Sequence, residues 1–208
     1  KLNLTDPPNN IYLPSVDEKI SDLTGIEAFV HLRFLACRLN LLDSLDVTKN
    51  TELTHLRADG NNLTSLDISA NTKLDTLFLQ FNNLYTLNLS NNTDLFILYL
   101  QNNNFTALDF SHNTNLKLLK IEVNPNLQYL DLSHNPYLES LNFHSCNLDS
   151  IDLSQNLALS ALHCYWNDLT ELDLSFNSAL TNLRCNHNEL KYLNVKNGNN
   201  TNITIFDA

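Results

Sequence analysis

Leucine returns along this chain at a fixed interval. Leu32, Leu53, Leu74, Leu95, Leu116, Leu138, Leu159 and Leu180 open eight copies of L-x-x-L-x-L-x-x-N-x-L-x-x-L-D-L-S-x-N-x-x. Each step is 21 residues, except that from 116 to 138, which is 22. The second leucine is the same in every copy: Leu35, Leu56, Leu77, Leu98, Leu119, Leu141, Leu162 and Leu183. Self-similarity at this period means a solenoid, in which each unit buries its apolar face against its neighbours. The first half of each copy alternates with period two, which predicts a strand. Leu98 and Leu100 then face inward, while Ile97, Tyr99 and Gln101 face outward. Parallel pairing about 4.8 Å apart predicts a stack roughly 35–40 Å tall.

The asparagine after the strand recurs as Asn40, Asn61, Asn82, Asn103, Asn124, Asn167 and Asn188. A turn leaves backbone groups facing inward, and a buried amide carries both donors and acceptors to satisfy them across coils. The second half also alternates and ends in asparagine: Asn50, Asn71, Asn92, Asn113, Asn135, Asn156 and Asn177. About eleven residues without a 3.6 period cannot hold a stable helix. The expectation is short strands or extended turns on the back, hence a flattened coil with two β faces. The extra residue near Asn124-Pro125-Asn126 should bulge outward and leave the leucine columns in register.

The ends differ from the middle. Residues 1–31 lack the repeat, carry Pro7, Pro8 and Pro14, and read as an N-terminal cap or partial repeat. Residues 32–200 hold the eight repeats, and 201–208 read as the truncated start of a further half-repeat. Ile203, Phe206 and Asp207 fit the phase of a back half. Open strand edges invite aggregation, so the natural protein is expected to continue.

The 21-residue unit with its nested L-x-x-L-x-L-x-x-N half resembles the bacterial IRREKO class of leucine-rich repeats. Ile20-Ser-Asp-Leu-Thr-Gly-Ile-Glu-Ala-Phe29 resembles the entry turn of internalin-like and Bacteroidota surface repeat proteins. Asn197-Gly-Asn-Asn-Thr-Asn-Ile203 with Phe206-Asp-Ala208 resembles an insertion near the end of such arrays. The resemblance covers residues 20–208. It implies a leucine-rich-repeat solenoid, a right-handed horseshoe that is here mostly β, with a parallel sheet on its front. It also implies a secreted or cell-surface bacterial protein, often a longer chain with a C-terminal sorting domain. It prescribes no ligand residues.

Composition narrows the function. The 208 residues are 43% hydrophobic, and the net charge is −11. That charge argues against nucleic acid, which needs a basic surface, and against anionic lipid. No apolar run approaches the roughly 18 residues needed to cross a membrane. There is no Met and no signal peptide at the start, which suggests a mature or trimmed product. Cys37, Cys164 and Cys185 replace inward leucines in one column and read as small buried hydrophobes. Cys164 and Cys185 stand in adjacent copies, within disulfide range, although stacked side chains usually point alike. Cys146 takes a ladder asparagine's place, and no C-x-x-C spacing marks a zinc site.

The outward front face is the candidate site. Its central column runs Ala36, Arg57, Phe78, Tyr99, Lys120, Asn142, His163 and Arg184. His144, Tyr165, Trp166 and His187 join His163 and Arg184 over three adjacent copies, and Phe78, Phe81 and Tyr99 make a second patch. Tyr, Trp and Arg are the residues that anchor interfaces; the alternative is ordinary packing between cross-strand neighbours. On the back, Asp46, Asp67, Asp109, Asp131, Asp152 and Asp173 form a column, with Asn88 and Asn194 substituting. It reads as a solubilising face rather than a calcium site, because calcium takes six to eight oxygens. His144, His163 and His187 come from three separate copies, a poor arrangement for one metal ion. No nucleophile–base motif or phosphate loop appears, and only three Gly exist. The N-x-S/T sequons, such as Asn62-Leu-Thr64, fall out of the repeat itself. The expectation is a non-enzymatic recognition module without cofactor that binds a protein partner. A glycan ligand, through Tyr165 and Trp166, and a plain structural spacer are the alternatives.

Overall fold

The computed structural model describes residues 10–12, 19–198 and 200–208. The prolines at 7, 8 and 14 lie outside the described residues. Twelve three-residue strands follow in chain order: β1 (Asn10–Tyr12), β2 (Phe34–Ala36), β3 (His55–Arg57), β4 (Thr76–Phe78), β5 (Ile97–Tyr99), β6 (Leu118–Lys120), β7 (Ser140–Asn142), β8 (Ala161–His163), β9 (Glu171–Asp173), β10 (Asn182–Arg184), β11 (Tyr192–Asn194) and β12 (Ile205–Asp207). Among the described residues helix is confined to two single 3₁₀ turns, Ile26–Ala28 and Asn200–Asn202. The chain is thus a parallel β solenoid of about eight turns.

Ten strands make one parallel sheet in the order β1-β2-β3-β4-β5-β6-β7-β8-β10-β12. The invariant leucines set its register: Leu35 lies beside Leu56, Leu77 beside Leu98, Leu162 beside Leu183. The 22-residue copy keeps that register, with Leu119 beside Leu141. All eight are buried. Alternation is the cause, because a one-residue slip would turn every leucine to solvent.

The back differs from the expected second β face. Among the described residues only β9 and β11 pair there, in the last two coils. In every coil the donor two residues past the Asp is consumed locally, as when Thr48 N–H bonds Asp46 Oδ1 at 2.9 Å and Ser111 N–H bonds Asp109 Oδ1 at 2.9 Å. The same bond is made at Asp173 and Asn194, beside the paired β9 and β11, so it does not by itself decide the pairing. The last residues also depart from the back-half phase. β12 joins the front sheet, with Leu183 beside Phe206. The longer stretch from Asn197 to Ile203, where an ordinary copy needs only Asn177 to Leu180, carries the chain round to the front. At the other end, Asn40 Oδ1 accepts from Ile20 N–H at 2.9 Å, and Asn50 Nδ2 donates to Ile26 and Phe29 carbonyls.

Two asparagine ladders close the coils. On the front, Asn61 Nδ2 donates to the Cys37 and Ala58 carbonyls at 3.0 Å, and its Oδ1 accepts Leu42 N–H at 3.1 Å. Asn82, Asn103, Asn124, Asn167 and Asn188 repeat this bridge. On the back only the donors are used. Asn92 Nδ2 bonds Ile68 and Asn71 carbonyls, while its Oδ1 is buried without a hydrogen-bond partner.

Cys146 and the 22-residue copy are one event. A front ladder oxygen is needed because the N–H two residues past the previous ladder asparagine has no other acceptor. After Asn124 the extra residue makes a turn, and Leu127 N–H bonds the Asn124 carbonyl at 3.0 Å instead. No donor waits for an oxygen at 146. The thiol there serves the remaining need, donating to the Ile121 carbonyl at 3.2 Å. Cys146→Asn should therefore destabilise by about 1–3 kcal/mol, since the new oxygen would be buried without a donor. Deletion of Asn126 should destabilise alone as well. The double change should be more stable than either single one, read as a coupling in denaturant midpoints; additive losses would contradict it.

Candidate functional site

The front strands place outward side chains in parallel columns one coil apart, so residues from distant copies stack. In the column of Arg57, Phe78, Tyr99 and Lys120, the Phe78 and Tyr99 ring centroids are 4.5 Å apart. Arg57 Cζ lies 5.0 Å from the Phe78 centroid, and Lys120 Nζ lies 4.6 Å from that of Tyr99. A cation thus closes each end of the aromatic pair, an attraction of about 0.5–1 kcal/mol at an exposed site. Arg57 and Arg38 also approach buried Asp59, at 3.7 and 3.3 Å. Further along, His144 stacks on Tyr165 at 4.4 Å, and Trp166 meets His187 edge-on at 5.3 Å.

All nine sequence-predicted residues lie on this one face. Phe78, Tyr99, His144, His163 and Tyr165 are half-buried, and Phe81, Trp166, Arg184 and His187 are exposed. They form two groups, Phe78 with Phe81 and Tyr99, and His144 with His163, Tyr165, Trp166, Arg184 and His187. β6 lies between the groups, at Lys120 and Glu122. Burial lowers the His144 pKa below 6.5, and the His163 charge adds to the effect. Burial likewise lowers that of His163, with Arg184 and Lys120 pushing the same way and Asn182 partly opposing. Glu122, by contrast, is raised by burial, with Lys120 partly opposing.

The front is not where the chain keeps its negative charge. Its outward positions hold three of the 23 acidic residues, Asp59, Glu122 and Asp207, against four of the 12 basic ones, Arg38, Arg57, Lys120 and Arg184. The excess acid lies on the back and rims.

The aspartate column does structural work that the sequence pattern did not reveal. Each Asp Oδ1 accepts the backbone N–H two residues on, at Thr48, Ser69, Ser111, Ser133, Ser154 and Ser175. Asn88 and Asn194 make the same bond, which explains their substitution. Among the described residues no group of three His, Cys, Asp or Glu is placed to hold a metal ion. The four thiols are buried and free. Burial raises the Cys37 and Cys146 pKa values to about 12 and that of Cys185 to about 11, which keeps the thiols protonated.

A feature missed in sequence is the residue before each front ladder position, whether that position holds an asparagine or Cys146. Leu39, Phe81, Asn102, Val123, Ser145, Trp166 and His187 all have φ between 53 and 58°, and Gly60 has 68°. This left-handed conformation costs a non-glycine residue roughly 1–2 kcal/mol and suits Gly or Asn. Phe81 and Trp166 adopt it while remaining 56% and 59% exposed. Neither strain nor solvent exposure stabilises the fold.

No protein-family model and no curated protein sequence matches this chain. Solved structures do. The functional domain of InlJ from Listeria monocytogenes, which includes a cysteine ladder, is 36% identical, with a TM-score of 0.81 over 84% of this chain. A leucine-rich-repeat protein of Leptospira interrogans is 21% identical, with a TM-score of 0.78 over 88%. An internalin of Listeria monocytogenes, inlF, is 24% identical, with a TM-score of 0.64 over 86%. The chain spans 41%, 50% and 64% of their lengths. Its structural neighbours are thus leucine-rich-repeat proteins, and its fold is theirs.

Two outcomes follow from the site's chemistry. Hydrogen bonds from the following Ser or Thr hold Asp46, Asp67, Asp109, Asp131 and Asp173 below the ordinary carboxylate value of 3.8. A depressed folded-state pKa gives stability that is present above the unfolded value and lost as pH falls through the folded one. Stability should therefore fall below about pH 3.8, and Asp→Asn at these positions, which keeps the acceptor, should flatten that loss in acid titrations followed by circular dichroism. Separately, Val123→Gly and Trp166→Gly should leave the melting temperature unchanged or raised. Relief of about 1–2 kcal/mol of strain outweighs glycine's entropic cost of roughly 0.5–1 kcal/mol. A clear drop would mean that these side chains hold the fold.

Proposed function

We propose that this chain is a non-enzymatic recognition module that binds a protein partner through its front sheet, as part of a longer secreted or cell-surface bacterial protein. The observation that carries this reading is the placing of Phe81 and Trp166. Stability alone selects Gly or Asn at their position, as at Gly60 and Asn102. Large exposed aromatics held there against strain and hydration belong to an interface, where such residues supply most of the binding energy. The balance of three acids and four bases on the front, in a chain of charge −11, and the stack from Arg57 to Lys120 favour the same surface. The bacterial leucine-rich-repeat neighbours support the module and the compartment.

A glycan ligand is the second reading. A shallow recess of about 330 Å³ is lined by Asn147, Trp166, Asn167, Asp168 and His187. An indole face beside a carboxylate and amides offers a sugar both stacking and hydrogen bonds.

Trp166→Ala is expected to weaken binding by at least about 2 kcal/mol, roughly 30-fold, with the melting temperature unchanged. The control is Asp109→Asn on the back, which keeps the turn's acceptor and should not affect binding. Both variants are compared with the parent in pull-downs against matrix and cell-surface proteins and on a glycan array. Protein binding lost only in Trp166→Ala supports the first reading, and glycan binding alone supports the second. Binding untouched by Trp166→Ala overturns both, and no binding at all leaves a spacer.

A further inference from the structure

Most of the chain's histidines are given a carboxylate neighbour. His55 Nδ1 lies 3.5 Å from Asp75 Oδ1, His31 acts on Glu52, and His112 and His134 act on Asp109. Two front histidines are set differently. The charges that act on His144 and His163 are positive: that of His163 on His144, and those of Arg184 and Lys120 on His163. Both rings are half-buried on the outward face, and His144 is stacked on Tyr165 at 4.4 Å.

The neighbouring charges can be counted coil by coil. Lys120, His163 and Arg184 share the central column from β6 to β10. His144 stands in the next column, with Glu122 on the coil before it and Tyr165 on the coil after. Asp207 of β12 lies beside Arg184. At the strand starts Lys117 and Glu139 pair with each other at 2.9 Å. Neighbouring strands are about 4.8 Å apart, well inside the screening length of about 8 Å at physiological salt. With both rings neutral, Lys120 and Arg184 balance Glu122 and Asp207. The histidines therefore decide the sign of this half of the face.

Acid moves every titrating member of the group in one direction. His144 and His163 gain charge, and Glu122, raised by burial, loses its charge sooner than an ordinary glutamate. Partners for the added protons are in place. His144 Nδ1 lies 3.1 Å from Ser145 Oγ, an oxygen that can accept from the charged ring. Asn182 favours protonated His163 and keeps a buried Oδ1 with no hydrogen-bond partner. Burial and the nearby cations oppose protonation. Burial is fixed, but an anion at the surface cancels the repulsion. Bound acid and bound proton then favour each other by the same factor.

We propose that the β6-to-β10 half of the front face engages an acidic segment of the partner protein in mild acid and releases it near neutral pH. The segment's carboxylates supply the counter-charge that the chain provides for its other histidines and withholds from these two. The inference rests on the protein-binding reading of the front face and adds the partner's charge and the condition under which it binds.

The test titrates the intact chain into a rhodamine-labelled deca-aspartate peptide, followed by anisotropy at about pH 5.5 and about pH 7.5, where the probe keeps its charge. Affinity should be at least about tenfold tighter at the lower pH and should fall with added salt. His144→Gln with His163→Gln should reduce the pH effect to about twofold or less, and Arg184→Gln should weaken binding at the lower pH. His112→Gln with His134→Gln, on the back, should change neither. Calorimetry of the unaltered chain in two buffers of different ionisation enthalpy should show net proton uptake on binding, a readout that needs no variant. No peptide binding at either pH, no proton uptake, or a pH effect that survives loss of both front histidines overturns the proposal. Binding of a heparin fragment but not of the peptide also overturns it and points to an anionic glycan instead. A protein partner that needs Trp166 but binds equally at both pH values overturns it while leaving the front-face reading standing.

Discussion

The rest of the structure depends on keeping every inward-facing backbone group at the coil corners bonded. A parallel solenoid folds its chain twice per turn, and each fold points carbonyls and N–H groups into the apolar core, where an unmade bond costs about 1–3 kcal/mol. The front asparagines meet this demand from both ends of the amide, as Asn103 does with Leu79, Leu100 and Leu84. The repeat period is a consequence. Each amide must reach both its own coil and the one before, which ties the length of one coil to that of the next. The exception at residue 146 shows the rule at work. Where an inserted residue lets Leu127 bond within its own turn, the asparagine is no longer required and a thiol suffices.

The same corner supplies the positions on which the proposed function rests. At each front ladder position the preceding residue takes a left-handed conformation that turns the ladder side chain inward, and its own side chain is thrown out at the rim of the sheet. A residue there has no packing role to fulfil, so its identity is open to selection for other ends. Phe81, Val123 and Trp166 are poor choices for that backbone and for water, and sensible ones for a partner. Rigidity helps. Side chains mounted on a hydrogen-bonded ladder of fixed spacing lose little freedom on binding, and their separation is set by the sheet.

Charge is sorted by the same architecture. The back corners use carboxylates as turn acceptors, so acid accumulates there for a structural reason. The front corners use neutral amides, which leaves that face free of the chain's large negative excess. A face with Arg57 and Lys120 at the ends of an aromatic pair can therefore meet a partner without the repulsion its overall charge of −11 would suggest.

Much of this was legible in the leucine pattern. Period two settles which face each of Leu98, Tyr99 and Leu100 takes, and the 21-residue repeat settles which side chains stack, because both are local consequences of backbone geometry summed along the chain. The nine front-face residues could be placed together on that ground alone. What the sequence could not show depends on which donor meets which acceptor. Asp109 reads as surface charge until its bond to Ser111 is seen. Trp166 reads as a strand-end aromatic until its φ of 57° is known. Cys146 reads as a broken ladder until Leu127 is found bonded elsewhere. Ile205–Asp207 reads as a back half until its pairing with β10 puts it on the front. In each case the identity of the residue was plain, but its role was decided by a partner one coil or one turn away, and only the folded chain specifies that partner.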